Sequence, residues 1–136
     1  LKGTDIPIFV KNPINPDIEL WIGALERLAH AGVNRLAAIH RGFSTYGDTT
    51  YRNTPIWEIA TELRSRIPQL PILCDPSHIG GKSELVKPLA EKALCLNYNG
   101  FFIETHINPS KALSDSRQQI TPEALHQLLT ELNIKL

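Results

Sequence analysis

In the segment Pro71-Ile72-Leu73-Cys74-Asp75-Pro76-Ser77-His78, an unbroken apolar run gives way at once to an acid, a proline turn and a histidine. A strand with one wet face would alternate apolar and polar residues. A continuous run of this length instead fits a strand covered on both faces, as in parallel sheets. Three other runs have the same form: Pro7-Ile8-Phe9-Val10, Leu36-Ala37-Ala38-Ile39 and Phe101-Phe102-Ile103. Each also ends in polar chemistry: Lys11-Asn12, His40-Arg41-Gly42-Phe43 and Glu104-Thr105-His106.

A helical pattern follows each run. Asn15, with Pro16 behind it, predicts a helix start, an apolar stripe runs through Ile18, Trp21, Ile22, Leu25, Leu28 and Ala29, and Gly32 is the stop. Thr54-Pro55 predicts a second start, with Ile56, Ile59, Ala60 and Leu63 as its stripe and Pro68 past its end. A third helix is expected over about Ser83 to Asn97, where Pro88 blurs the start. Thr121-Pro122 opens the fourth, with Leu125, Leu128, Leu129 and Leu132. The order βαβαβαβα implies a parallel sheet with right-handed crossovers. Two architectures satisfy it: a small open doubly wound sheet, or half of a (β/α)8 barrel, which needs roughly 250 residues when complete.

The chain has 136 residues, with 14 basic and 14 acidic side chains, and so no basic excess to hold a polyanion. No apolar run reaches the roughly 20 residues of a membrane span, and no signal-peptide pattern opens the chain. Neither nucleic acid nor membrane is therefore expected as a partner. Cys74 and Cys95 lack C-x-x-C spacing and lie in apolar stretches, which reads as reduced core thiols in a cytoplasmic protein. The sequence opens at Leu1 and contains no Met, so residues 1–136 are expected to be a piece of a longer protein. That favours the half-barrel.

In a parallel α/β protein the carboxyl ends of the strands open onto one face, where ligands bind. Lys11 and Arg41 are fixed cations suited to phosphate or carboxylate. His78, Glu104, His106 and Asp115 offer imidazole and carboxylate donors. Such a mixed nitrogen and oxygen set accepts Mn, Fe, Co or Zn. On a strand, Glu104 and His106 would point to the same side. Each residue also has a plainer reading. Lys11 could be a solvated strand end, Arg41 a surface partner of Asp48 or Glu58, and Asp75-Pro76-Ser77-His78 a turn bonded to backbone amides. His106 could be a hydrogen-bonded structural histidine and Ser114-Asp115 a loop turn. Glu104, directly after Phe101-Phe102-Ile103, needs a partner in any reading.

Taken in order, Lys11-Asn12, His40-Arg41-Gly42-Phe43, Asp75-Pro76-Ser77-His78, Ile103-Glu104-Thr105-His106 and Ala112 through Gln119 resemble 3-deoxy-7-phosphoheptulonate (DAHP) synthase. The resemblance is to class I enzymes related to 3-deoxy-manno-octulosonate 8-phosphate synthase. Lys11-Asn12-Pro13 through Asn15-Pro16-Asp17, with Tyr51-Arg52-Asn53, is similar to the bacterial form often fused to chorismate mutase. The resemblance implies an α/β fold, the C-terminal half (four βα units) of a TIM (β/α)8 barrel. It implies a transferase of the shikimate pathway of aromatic amino acid biosynthesis, joining phosphoenolpyruvate to erythrose 4-phosphate. His78, Glu104 and Asp115 match three ligands of a divalent metal; Lys11, Asn12 and Arg41 match the phosphoenolpyruvate site. Lys11, Arg41 and His78 are the implied catalytic residues. The N-terminal half, with a fourth ligand (a Cys), and any chorismate mutase domain would lie outside residues 1–136. The missing half-barrel, or a second copy in a homo-oligomer, is then an expected partner, and the fragment alone is expected to be inactive.

Three alternatives stay open on the sequence. The sugar could be arabinose 5-phosphate. The chain could be a non-catalytic doubly wound module that binds phosphate ligands. Lys11 could serve a Schiff-base aldolase, for which the histidine and carboxylates would be surplus.

Overall fold

The computed structural model describes residues 3–47 and 50–134. Four parallel strands form one sheet in chain order: β1 (Ile8–Lys11), β2 (Leu36–His40), β3 (Ile72–Cys74) and β4 (Gly100–Phe101). The register aligns Val10 with Ala38 and Ala38 with Ile72, while His40 aligns with Cys74 and Cys74 with Phe101. These side chains share one face of the pleat. That face packs on Trp21, Leu25, Ala60, Leu63, Leu89 and Ala93 from the helices to form the core. The opposite row is Lys11, Ile39, Leu73 and Gly100.

The helices that cover the sheet, α1 (Ile18–His30), α2 (Trp57–Arg66) and α4 (Val86–Cys95), therefore lie on one side, and no strand crosses to the other edge. This is the half-barrel arrangement; a doubly wound sheet would carry helices on both faces. The final helix, α5 (Pro122–Glu131), packs Leu128 with Val86 and Ile120 in a second small core. No helix among the described residues is long and apolar enough to cross a membrane.

Several local boundaries differ from the sequence expectation. The first helix starts two residues after Pro16, because the Asp17 carboxylate takes the cap and accepts from the Glu19 and Leu20 amides. The second starts at Trp57, not at Thr54-Pro55. Thr54 instead pairs with Phe43 in an antiparallel bridge, and Ile56 turns the chain through a left-handed conformation. The third is divided into a 3₁₀ turn, Ser83–Leu85, and α4, and it is preceded by an unforeseen short helix, α3 (Pro76–Gly80). The fourth strand is shorter than its apolar run, ending at Phe101; Phe102 donates its amide to the Cys74 carbonyl and the chain then leaves the sheet. Cys74 is a buried thiol as expected, but Cys95, the last residue of α4, is exposed.

Candidate functional site at the carboxyl edge of the sheet

The site begins with Asp75, fully buried just past β3. Its Oδ1 accepts from the His78 amide at 2.9 Å and caps α3, with Pro76 in the first turn where a missing N–H costs nothing. This single turn brings the His78 ring back over the same carboxylate, with Nδ1 2.8 Å from Oδ2. The pair is in contact distance, although the ring N–H is poorly aligned and finds no other acceptor. Lys11, at the end of β1, donates to the same Oδ2 at 3.2 Å, and its ammonium lies 5.0 Å from the Phe102 ring centroid. Burial alone would push the Asp75 carboxyl up, but the His78 hydrogen bonds and the His78 and Lys11 charges hold it below the usual carboxylate range.

Glu104 follows β4. Its amide donates to the Ser77 hydroxyl at 3.1 Å, which ties it to α3. Its Oε1 lies 3.8 Å from His78 Nε2, and its Oε2 accepts from the buried Gln118 amide at 2.7 Å. Asp115 comes from the loop before α5. It adopts φ of +53°, a left-handed value that Asp tolerates better than most residues. The Gln118 amide closes the turn on the Asp115 carbonyl, so both side chains face Arg52. One nitrogen of Arg52, Nη1, donates to Asp115 Oδ1 at 2.5 Å and to Gln118 Oε1 at 2.7 Å. The hydrogen bond from Arg52 holds the Asp115 carboxyl below its ordinary value.

The structure thus brings His78, Glu104 and Asp115 together: one donor atom from each lies within 4.8 Å of the others. His106 is outside this group; its Nδ1 accepts from the Asn108 amide, the structural role weighed for it. Two donors on one ion at about 2.1 Å lie about 3.0–3.4 Å apart, so these three need only a small inward movement. The donor set also fits a metal chemically. A ligating histidine commonly has its other ring nitrogen against a carboxylate, and His78 Nδ1 lies 2.8 Å from Asp75 Oδ2.

Arg41 sits beyond β2 and contacts Asn53 Oδ1 at 3.2 Å; burial and the nearby Arg52 charge lower its pKa. Glu58 is not its partner, and Asp48 lies outside the described residues. Asn12 is buried and staples the first two strand ends. It donates to the Pro13 and Gly42 carbonyls at 2.8 Å and accepts from the Arg41 amide at 2.6 Å. Both its amide hydrogens are spent on backbone, so it orients Arg41 from behind. Gly42, at φ of +80°, permits this approach: a Cβ there would meet the Asn53 carbonyl oxygen at 2.5 Å.

Beneath Arg41 the fully buried His40 ring is ringed by Trp21, Phe43, Trp57 and Tyr98. Its Nε2 must donate to the Pro55 carbonyl, which fixes the tautomer and leaves Nδ1 to accept from the Tyr98 hydroxyl at 2.8 Å. Beside Asp115 opens a cleft of about 440 Å³ lined by Arg52, Lys82, Arg117 and Gln118. Arg52, Gln118 and the packing role of His40 were missed as site-building residues in the sequence. Tyr51-Arg52-Asn53 stood out only through the resemblance, and Gln118 only as part of a longer matching run.

Fold and site together define an α/β chain, a parallel half-barrel whose rim gathers three possible metal donors near the cations Lys11 and Arg41. The chain belongs to the DAHP synthetase I family, whose model matches residues 2–135. It is 34% identical over 126 residues to the phospho-2-dehydro-3-deoxyheptonate aldolase of Thermotoga maritima, covering 93% of this chain and 37% of that protein. A shorter likeness, 47% over 53 residues, is to the 2-dehydro-3-deoxyphosphooctonate aldolase of Wolinella succinogenes, covering 39% of this chain and 20% of that one. The crystal structure of the Thermotoga DAHP synthase superposes with a TM-score of 0.86 at 32% identity, over 95% of this chain and 37% of that one. A truncated form of the Thermotoga enzyme gives the same score, with 48% of its chain covered. The chain thus spans little more than a third of its Thermotoga relative.

Proposed function

We propose that the protein carrying this chain condenses phosphoenolpyruvate with erythrose 4-phosphate, giving 3-deoxy-7-phosphoheptulonate and phosphate. One observation carries the reading: His78, Glu104 and Asp115 gather beside Lys11 and Arg41 at one edge of the sheet, in a chain whose family match is nearly complete. Lys11 and Arg41 anchor the phosphate and carboxylate of phosphoenolpyruvate, Lys11 as a compact charge and Arg41 as a planar fork. Asn12 and Asn53 hold Arg41 from its backbone and side-chain ends. His78, Glu104 and Asp115 hold a divalent ion of the Mn, Fe, Co or Zn group, with Asp75 and Gln118 behind them. That ion, when bound, supplies Lewis-acid polarisation of the sugar aldehyde.

In this reaction C3 of phosphoenolpyruvate forms a bond to the aldehyde carbon, water adds at C2, and the C2–O bond to phosphate breaks. Lys11 and Arg41 stabilise the charge that moves between carboxylate and phosphate. The remaining barrel strands, from the rest of the protein, complete the site over the Lys11–Leu73 row and supply the fourth ligand. Support for erythrose 4-phosphate over arabinose 5-phosphate is the extent of the likeness: the heptonate relative matches 93% of the chain, the octonate relative 39%.

The test is a phosphate-release assay on the intact protein with phosphoenolpyruvate and each aldehyde, with and without added Mn²⁺ after chelation. Turnover with erythrose 4-phosphate that chelation abolishes and Mn²⁺ restores is expected. Turnover with arabinose 5-phosphate alone would move the reading to the octulosonate synthase, and metal-independent turnover would remove the ion.

A further inference from the structure

We infer that Arg52 is a positioning residue for the metal site, a clamp that sets two of its three donors at once; this rests on the metal reading proposed above. The argument is one of connectivity. Arg52 Nη1 reaches Asp115 directly, and it reaches Glu104 through Gln118. A charge-assisted donor on Gln118 Oε1 fixes the orientation of that amide, because an amide turned over would present N–H to N–H. Gln118 Nε2 must then face Glu104 Oε2, which leaves Oε1 turned toward His78 Nε2. Gln118 is 1% exposed, so the middle of the relay is shielded from competing water, while the Arg52 side chain is about half exposed.

Arg52 is itself held in place by close packing. Gly81 takes φ of +67°, and a Cβ on it would lie 2.5 Å from the Arg52 Cβ, so the turn after α3 presses on the Arg52 stem. The same helix carries His78 and Ser77, and Ser77 takes the Glu104 amide. All three donors are thereby tied to one packed unit, α3 with Arg52 against it.

Charge and geometry predict opposite outcomes here. As a mere cation beside a divalent ion, Arg52 would oppose metal binding, and its removal would tighten the site. As a clamp, its removal lets Asp115 and Glu104 swing away. The loss of an outer-shell partner of a metal ligand typically costs about 10–100-fold in affinity.

The test is Mn²⁺ titration of the intact protein followed by electron paramagnetic resonance, for wild type, Arg52→Gln, Arg52→Lys and His78→Ala, with thermal melting of each apoprotein. The clamp predicts that Arg52→Gln weakens Mn²⁺ binding about 10-fold or more and broadens the bound-Mn²⁺ spectrum. The apoprotein melting temperature should move by only a few degrees. Arg52→Lys, which keeps the charge but ends one bond short of Nη1, should weaken binding to an intermediate degree, and it also serves if Arg52→Gln fails to fold. Unchanged or tighter Mn²⁺ binding in Arg52→Gln or Arg52→Lys, while His78→Ala has lost it, overturns the clamp alone. A wild type that binds no Mn²⁺, or a His78→Ala variant that binds it as well as wild type, overturns the metal reading and the clamp with it.

Discussion

Lowering the pH from 7 to 5 weakens this fold through one side chain, His40. Burial pushes its pKa from 6.5 down to about 4, against the raising effects of the Pro55 carbonyl and the Asp75 charge. In the unfolded chain the ring is ordinary. Between pH 6.5 and 4 the unfolded state therefore takes a proton that the folded state refuses. The stability tied to the neutral ring is whole above the unfolded value and is lost as the pH falls through that window. Across the full window the loss is about 3 kcal/mol, and about 2 kcal/mol of it is gone by pH 5. Asp75 does not obscure this: its carboxyl is held below its ordinary value of 3.8, so its own contribution is lost only at lower pH. The assay is urea denaturation of the intact protein in steps from about pH 7 to pH 5, for wild type and His40→Gln. Glutamine has a donor and an acceptor for Pro55 and Tyr98 but nothing that titrates. The wild-type stability should fall with a slope steeper than the variant's by close to one proton. Equal slopes, or a ring resonance of His40 that titrates near 6.5, would refute the argument.

Arg41→Ala should raise the Michaelis constant for phosphoenolpyruvate about 30-fold or more, the equivalent of roughly 2–4 kcal/mol from a lost charge-assisted contact. An unchanged constant would remove Arg41 from that role. Gly42→Ala puts a Cβ against the Asn53 carbonyl at a left-handed φ, and it should cost about 1–3 kcal/mol, read as a drop in melting temperature. Titration of the native protein with a thiol reagent should modify the exposed Cys95 quickly and leave Cys74, whose thiol burial pushes up, unreacted until denaturant is added.

The architecture was legible because it rests on short-range signals. Each apolar run marks a strand, and Thr121-Pro122 does cap α5, with the threonine hydroxyl accepting from the Ala124 amide. Asn15-Pro16 and Thr54-Pro55 carry the same signature, yet neither opens a helix, since the signature says nothing of competitors. Asp17 stood nearer the apolar stripe and offered a better acceptor. Thr54 was claimed by Phe43, and the Pro55 carbonyl by His40. The approach of His78 to Glu104 could be expected from strand ends; Asp115, in the loop before α5, was joined to them in one ligand set only through the resemblance. The supports behind those side chains could not be expected, because Arg52 meets Gln118 across 66 positions and Lys11 meets Asp75 across 64, distances at which no local pattern survives. Glu104 and His106 show the limit from the other side: they flank a single parallel bridge, Thr105 with Ile120, yet only Glu104 joins the donor group.

The strict chain-order pairing of the strands has a temporal consequence. On a ribosome, each strand can dock on the one made just before it, about thirty residues earlier, so the sheet grows by accretion while synthesis continues. The rim matures on a different clock. Lys11 waits for Asp75, Arg52 waits for Asp115 and Gln118, and Glu104 stays half supported until those last residues emerge. A nascent chain thus acquires its strand scaffold well before His78, Glu104 and Asp115 can come together at its rim.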